Sequence, residues 1–207
     1  MTKQETIMGQ VASDLATFAE EGIVTAPTDT ALDELIAGYE RDFGFMGSFE
    51  QWVDHHGEQY LVADFVFRYL ETQGIALVHD SECIYGYQDD SDGYPALLDS
   101  YVDLASDRFD TLAYDVNGDW SVQEDAQLTI RTDGQTFEET ITYDGDYADV
   151  DSLLELLNRV VAGGTDATER YYRLRFSDGT GVSIGFVQPD HANTLREYFA
   201  AAVDARR

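Results

Sequence analysis

The residues best suited to metal or acid–base chemistry are the histidines and the cysteine. They are His55, His56, His79, Cys83 and His191. A helix would place His79 and Cys83, four residues apart, on one face, but Gly86 and the apolar run before His79 favour a strand or loop. A structural zinc site needs four ligands, so Glu58 or Glu82 would have to complete it. The sequence therefore predicts no bound metal and no cofactor, with partly exposed histidines and a buried thiol.

An enzyme remains an alternative, because catalytic residues can come from distant parts of a chain. The sequence contains no Gly-x-Ser-x-Gly, no P-loop, no His-Glu-x-x-His and no Gly-x-Gly-x-x-Gly after a predicted strand. A pocket between the helical N-terminal part and the C-terminal sheet could use His55, His56 or His79 together with carboxylates. With 41 carboxylates in the chain, the sequence singles out no acid–base pair.

Two segments are similar to calcium-binding loops. The better one, Asp115–Asp119, resembles the start of an EF-hand or dockerin-type loop, since it alternates Asp, Asn and Asp. It departs from that pattern at Trp120, where the turn requires glycine, and at Ala126, where a bidentate carboxylate should stand. A tight Asn-Gly hairpin explains the same residues without an ion. The second segment, Asp90–Gly93, is interpreted as a loop that precedes a helix.

A set of arginines near a tyrosine offers a different chemistry. These residues are Arg131, Arg170, Tyr171, Arg173 and Arg175. Strand alternation places Arg173 and Arg175 on one face, and Arg131 alternates outward on its own strand in the same way. Guanidinium groups bind carboxylates and small anions through paired hydrogen bonds, so the pattern predicts a small basic, tyrosine-lined face for an acidic partner or an anion. The alternative is cross-strand pairing with Glu138 or other carboxylates, which requires no ligand.

The first half of the chain should consist of helices. Apolar residues recur at helical spacing in four segments, which are 7–18, 32–43, 61–70 and 97–105. The hydroxyl of Thr30 is the expected N-cap of the second helix, and Ser48 with Gln51 forms a predicted capping box. Gly57 is the expected break before the third apolar face. Residues 1–109 are therefore predicted to form a mostly helical region.

The second half changes to strands and turns, and residues 110–207 are predicted to form a hairpin-rich α+β region. Tight turns are expected at Asn117-Gly118, Asp133-Gly134 and Asp178-Gly179. This region is expected to contain strands over 110–116, 119–123, 127–132, 136–143, 170–176 and 181–187, and one short strand, 75–78, is expected in the region before it. Two further helices cover 153–161 and begin at Pro189. The predicted fold is α+β, a helical N-terminal part followed by a mainly antiparallel sheet built from hairpins, with helices packed on one face. The two regions can belong to one continuous domain.

The composition indicates an environment more clearly than any motif indicates a reaction. The formal net charge is −29, and 26 Asp and 15 Glu stand against 11 Arg and a single lysine, Lys3. The 43% of hydrophobic residues is enough for a core and argues against global disorder. At 1 M salt the Debye length is about 3 Å, which screens the repulsion between surface carboxylates. The composition resembles that of the cytosolic proteins of extreme halophiles such as the haloarchaea. This resemblance implies concentrated salt and no particular function.

The net negative charge also limits the classes of partner that the protein is expected to bind. Long-range repulsion disfavours direct binding to nucleic acid or to an anionic membrane. No leader-like apolar segment and no apolar run of ~18 residues is predicted, and a single cysteine agrees with a reducing cytosol. We therefore expect a cytoplasmic interaction or regulatory module that binds another protein and holds salt cations at its acidic surface. The alternatives are the motif-free enzyme and an acidic mimic of nucleic acid.

Overall fold

A computed structural model describes most of the chain. The described residues are 2–80, 94–109, 111–117, 125–132, 134–142, 149–174, 176 and 181–205. The chain divides into two compact units: a helical unit of residues 1–76 and 193–207, and a sheet unit of residues 77–192. The division predicted between 109 and 110 marks where helices give way to strands along the sequence, whereas the compact units divide the chain elsewhere. Within the described residues, no helix has the length and apolar character needed to cross a bilayer.

Five helices contribute to the helical unit. They are α1 (Lys3–Glu20), α2 (Asp29–Phe43), α3 (Phe49–His56), α4 (Glu58–Thr72) and most of α7 (Pro189–Asp204). Their apolar faces follow the predicted spacing: on α1, for example, the buried side chains run from Ile7 to Phe18 in steps of one, three and four residues. Leu15, Phe65 and Phe199 are fully buried in this unit. Burial of these apolar faces is what stabilises the helices, since isolated helices of this length are marginal in water.

The helix boundaries test the capping residues predicted from the sequence. The capping box of Ser48 and Gln51 is confirmed, and α3 ends at Gly57, whose φ of 85° suits glycine. The prediction that Thr30 is the N-cap of α2 is wrong. The hydroxyl of Thr28 accepts the Ala31 N–H at 3.2 Å instead, because the backbone is still extended at Thr28 and already helical one residue later.

The sheet unit carries all six described strands. Its elements are β1 (Ala76–Asp80), α5 (Tyr94–Leu104), β2 (Ala113–Asn117), β3 (Ala126–Thr132), β4 (Gln135–Ile141), α6 (Val150–Gly164), β5 (Arg170–Arg173) and β6 (Gly181–Val187). The strands form two sheets, in the orders β1-β6-β5 and β2-β3-β4. The pairs β2–β3, β3–β4 and β5–β6 are antiparallel. The predicted α+β fold is confirmed, with two small sheets where one was expected. The strand predicted at 119–123 lies outside the described residues.

Helix α6 explains why two sheets can share one core. It packs against β3 and β4 of one sheet and against β5 of the other. Leu153, Leu157 and Val160 on this helix are buried in the core of the unit. At its C-terminal end, a Cβ on Gly163 would lie 2.7 Å from Cζ of Phe137 on β4. Glycine at this position therefore lets the helix approach the sheet closely.

Strand β5 is an edge strand, and a side chain of α6 occupies part of its open edge. The Asn158 side-chain amide donates to the backbone carbonyl of Tyr171 at 3.0 Å, and its carbonyl oxygen accepts the Tyr171 N–H at 2.7 Å. These two bonds satisfy backbone groups that a neighbouring strand would otherwise pair. They fix the segment on which the predicted arginine face lies.

Candidate functional site

The predicted arginine face is divided between the two sheets. Arg131 lies on β3, where its guanidinium forms an ion pair with Asp115 on the neighbouring strand β2. Both side chains are more than half exposed, so this pair contributes little to stability. Glu138, considered as a cross-strand partner, instead offers its backbone carbonyl to Arg159 at 3.0 Å. Arg131 is thus separated from the arginines of β5, which belongs to the other sheet.

The arginines of β5 have partners within the same unit. Arg170 donates through one Nη atom to the backbone carbonyls of Ala167 and Glu169, at 2.8 and 2.6 Å. Nε of Arg173 lies 2.9 Å from a carboxylate oxygen of Asp151, and 41% of the Arg173 side chain is exposed. Arg175 lies outside the described residues. Of the two described arginines of β5, Arg173 is the one that pairs with an exposed carboxylate.

Tyr171 does not line a surface, which corrects its assignment to the basic face. Its side chain is only 2% exposed, and its hydroxyl donates to the backbone carbonyl of Tyr101 at 2.7 Å. Burial raises the pKa of the Tyr171 phenol far above its ordinary value, so it remains a neutral donor. Tyr171 is a core residue that connects β5 to α5.

The error has a physical cause in the strand itself. Simple alternation assumes that one set of alternate residues stays buried along the whole of 170–176. Buried residues occur in both alternate sets, since Tyr171 belongs to one and Leu174 and Phe176 to the other, and the paired strand β6 is buried at every position from 183 to 187. Leu174 packs closely over Gly185 of β6, where an added Cβ would lie 2.9 Å from its side chain. Because both alternate sets are buried, the period of two does not separate a solvent face from a core face here.

Some of the residues considered as zinc or calcium ligands lie in the described part of the chain. Among those residues, no group of three or more His, Cys, Asp or Glu side chains could hold a metal ion. In the loop that resembles a calcium site, Asp115 and Asn117 belong to β2, and Asp115 pairs with Arg131. Gly118 to Glu124 lie outside the described part of the chain, as do Cys83 and the segment 90–93.

The histidines are distributed over both units. His79 on β1 is partly exposed and belongs to the sheet unit, where its Nε2 forms a short hydrogen bond with the Tyr101 hydroxyl. Tyr101 is fully buried, and burial raises the pKa of its phenol, which therefore stays protonated and available as the donor. His55 and His56 lie at the C-terminal end of α3 in the helical unit. The proposed catalytic grouping thus draws on residues from two separate compact units.

An aromatic surface of the helical unit was not anticipated from the sequence. We call it the aromatic face, and it comprises Phe45, Trp52, His55, His56 and Tyr60. The rings of Trp52 and His56 stack at 4.6 Å with an interplanar angle of 6°, and Tyr60 stacks on His56 at 5.6 Å. His55 stands edge-on to His56 at 4.6 Å. Gln51, Trp52 and the two histidines line an open hollow of about 320 Å³.

Phe45 gives this face its apolar character. Its side chain is 84% exposed, the highest value among the large hydrophobic residues that the structure describes. It lies in the short turn after α2, two residues beyond Phe43, whose ring is 5.4 Å from Trp52. The Nε1 atom of Trp52 is buried and has no hydrogen-bond partner in the described part of the chain. A buried donor without an acceptor is unfavourable in the isolated protein.

Buried aromatic residues hold the aromatic face in position. Tyr39 on α2 contacts Phe43, Phe49, Trp52 and Phe65 with ring-centroid distances between 5.0 and 6.1 Å. The sequence showed these rings only as parts of three separate helical stripes. The one local signal for an exposed ring was the sequence Gly44-Phe45-Met46-Gly47, in which two glycines interrupt the helical pattern.

Comparison of the chain with known protein families, with curated proteins and with solved structures finds no match. Function must therefore be inferred from the geometry of these surfaces.

Proposed function

We propose that this chain is a cytoplasmic protein-interaction module that works in concentrated salt, and that the aromatic face is its contact surface. The partner is a protein that presents an apolar pocket for the Phe45 ring. The observation that carries the proposal is the 84% exposure of Phe45, two residues beyond Phe43, whose ring contacts Trp52 of a preformed stack. Aromatic side chains ordered before binding are well suited to be dominant contacts of an interface, because they bury large areas at low entropic cost.

The salt environment implied by the composition favours an apolar contact over an ionic one. Screening shortens the reach of charges to about 3 Å at 1 M salt, so exposed arginine–carboxylate attraction becomes weak. Salts that are excluded from protein surfaces strengthen the burial of apolar groups under the same conditions. A partner interaction that must persist in concentrated salt is therefore better served by Phe45 than by Arg173, 41% of whose side chain is exposed.

The Trp52 indole contributes ring area to this surface and not a hydrogen bond. Trp52 lines the hollow, but its Nε1 atom is buried, so a partner would contact the ring and not the N–H. The partner chemistry that fits is thus an apolar pocket. The acidic remainder of the surface would hold salt cations and discourage direct contact with nucleic acid or membranes.

The histidines support binding more than catalysis. His55 and His56 share the hollow with Gln51 and Trp52, and no carboxylate lines it among the described residues. Acid–base catalysis by a histidine usually relies on a partner that orients the ring and stabilises its charge. His79 belongs to the other unit and is engaged with a buried tyrosine. An enzyme is therefore the weaker candidate.

The test is a single exposed substitution. A partner is first identified by co-purification at native salt and then purified, and its dissociation constant is measured for the wild type, Phe45→Ser and the control Val78→Thr. Val78 is also an exposed apolar residue, but it lies in the sheet unit. We expect Phe45→Ser to weaken binding about tenfold or more, with no loss of thermal stability, because the exposed ring contributes little to the core.

The salt dependence separates this proposal from an arginine-mediated interface. Binding through the aromatic face should persist or tighten as KCl rises above about 1 M, whereas binding through Arg173 should weaken. If Phe45→Ser binds the purified partner as tightly as Val78→Thr does, the aromatic face is not the contact surface. If no protein co-purifies and the chain instead turns over a small molecule, the interaction module itself is refuted.

A further inference from the structure

A second concave surface of the helical unit lies between α1, α4 and α7. It has a volume of about 470 Å³, within the range of small-molecule sites. Apolar side chains contribute Ile7 from α1, Val62 from α4, and Ala201 and Ala202 from α7. Ile7 and Val62 are buried residues of the core, so this apolar lining is fixed by the packing of the helices. The groove is thus a built cavity with an apolar lining.

The charged groups known to line the groove are carboxylates. Asp14 on α1 and Glu58 in the first turn of α4 line it, and their neighbours there are neutral residues such as Gln10 and Gln59. A ligand that fits must therefore carry positive charge and also a hydrocarbon portion that covers the apolar lining. Hydrated K⁺ or Na⁺ lacks the hydrocarbon portion. This combination selects an organic cation over the salt that surrounds the protein.

The two carboxylates lie toward different ends of the groove. The pKa of the Lys3 ammonium is raised mainly by its hydrogen bond to Asp54 and also by the charge of Glu58, so Glu58 lies near the N-terminal end of α1. The groove follows α1 from Thr6 to Asp14, eight residues or about 12 Å of helix. A ligand with one cationic end would reach one carboxylate, whereas a linear ligand with two would reach both.

At one end of the groove, neutral hydrogen-bond donors fix the geometry of the Asp14 carboxylate. The Tyr198 hydroxyl on α7 donates to one carboxylate oxygen at 2.7 Å, and the Gln10 amide donates to the other at 2.6 Å. Burial, and then the adjacent Asp14, raises the pKa of the Tyr198 phenol well above its ordinary value, which keeps this residue a donor. Phe18 packs edge-on against the Tyr198 ring at 5.2 Å. An ammonium group beside Asp14 would thus meet an oriented carboxylate and a fixed aromatic ring.

From these features we infer that the groove binds a linear diammonium compound, with an ammonium group at Asp14, another at Glu58 and the methylene chain along Ile7, Val62 and the α7 alanines. Each charge–carboxylate contact is partly screened in concentrated salt, while burial of the methylene groups is not. Affinity should therefore depend on both the second ammonium and the chain length. This site is independent of the aromatic face and needs no protein partner.

The experiment uses the full chain at constant high ionic strength and titrates α,ω-diaminoalkanes of increasing length by calorimetry. For each length, the n-alkylamine with the same number of carbons is the matched probe. We expect one preferred diamine length, and at that length about tenfold tighter binding than the monoamine shows, which corresponds to about 1.4 kcal/mol from the second ammonium.

Three variants locate the contacts. Glu58→Gln and Asp14→Asn should each reduce diamine affinity to the monoamine level, while Glu34→Gln, an exposed carboxylate of α2 outside the groove, should leave it unchanged. Glu58→Gln keeps the test valid even if Asp14→Asn disturbs the Tyr198 contact. The inference is overturned if diamines and monoamines bind alike at every length. It is also overturned if Glu34→Gln lowers affinity as much as Glu58→Gln, since that would show a general counterion effect.

Discussion

The helical unit and the sheet unit differ in their net charge and in what their basic side chains contact. The helical unit has 16 carboxylates and 6 basic residues, a formal charge of −10, while the sheet unit has 25 carboxylates and 6 arginines, a formal charge of −19. The five described arginines of the sheet unit each contact a carboxylate or a backbone carbonyl. The helical unit instead exposes an aromatic face and an apolar-lined groove. Charge thus dominates the surface of one unit, whereas the other presents shaped apolar surfaces.

The largest expected effect follows from this charge difference. Because self-repulsion grows with net charge and is screened by salt, lowering KCl from molar to millimolar concentration should unfold the sheet unit before the helical unit. Hydrogen exchange measured by mass spectrometry would report it. The amides of 153–161 in α6 should lose protection at a higher salt concentration than those of 61–70 in α4.

Two outcomes would break the comparison. Simultaneous loss of protection in both segments would show that the units unfold as one cooperative system despite their unequal charge. Unchanged protection down to millimolar salt would contradict the interpretation of the composition itself. Mild acidification in dilute buffer provides a check in the opposite direction, since protonating surface carboxylates should restore some protection in α6 before strong acid disrupts the native ion pairs.

The sequence predicted elements far better than it predicted surfaces. Strand β6 was placed correctly at 181–187, and Gly57 was correctly identified as a helix break, because both depend on local patterns. The burial of Tyr171 could not be predicted, since it depends on contacts with α5, 70 residues earlier in the chain, and with Phe186 of β6. The groove could not be predicted for the same reason, because it is formed by side chains that meet from three helices distant in sequence. Hydrophobic periodicity and capping signals are local, so they do not show which side chains from distant parts of the chain come into contact.

A moderate effect on stability is expected from Tyr101, a buried tyrosine of the sheet unit. Burial raises the folded-state pKa of Tyr101, with the Arg173 charge partly opposing the shift, so the folded protein keeps this proton when the unfolded chain has lost it. The stabilisation is fully present below about pH 10 and is lost as pH rises toward the folded-state pKa, by about 1.4 kcal/mol per pH unit. Urea unfolding between pH 8 and 11 would measure it.

The variant Tyr101→Phe isolates this contribution. At pH 8 it should unfold about 1 kcal/mol more easily than the wild type, because the hydrogen bond to His79 is gone. Above pH 10 the wild type is penalised and the variant is not, so the difference should shrink and then reverse within about one pH unit. A disadvantage that stays constant across this range would show that the Tyr101 hydroxyl titrates normally and is not shielded by the core.

The smallest effect is expected for Arg173 and Arg175 of the predicted arginine face, and it tests whether they serve stability or recognition. The Arg173–Asp151 pair involves two side chains that are 41% and 81% exposed, so it is screened by water and salt. Changing Arg173 and Arg175 together to Gln should lower the free energy of unfolding by about 1 kcal/mol or less at high salt. Arg41→Gln is the control, because Arg41 is 79% exposed and lies in the other unit.

Binding of the purified partner by the same double variant completes this test. If the aromatic face is the contact surface, affinity should match that of Arg41→Gln, because neither Arg173 nor Arg175 would then contact the partner. If affinity falls severalfold while the thermal midpoint stays within a degree or so of the control, β5 is part of the interface, since an exposed guanidinium can become a dominant contact once a partner excludes water from it. That result would place recognition on the more highly charged unit and reverse the contrast between the two units.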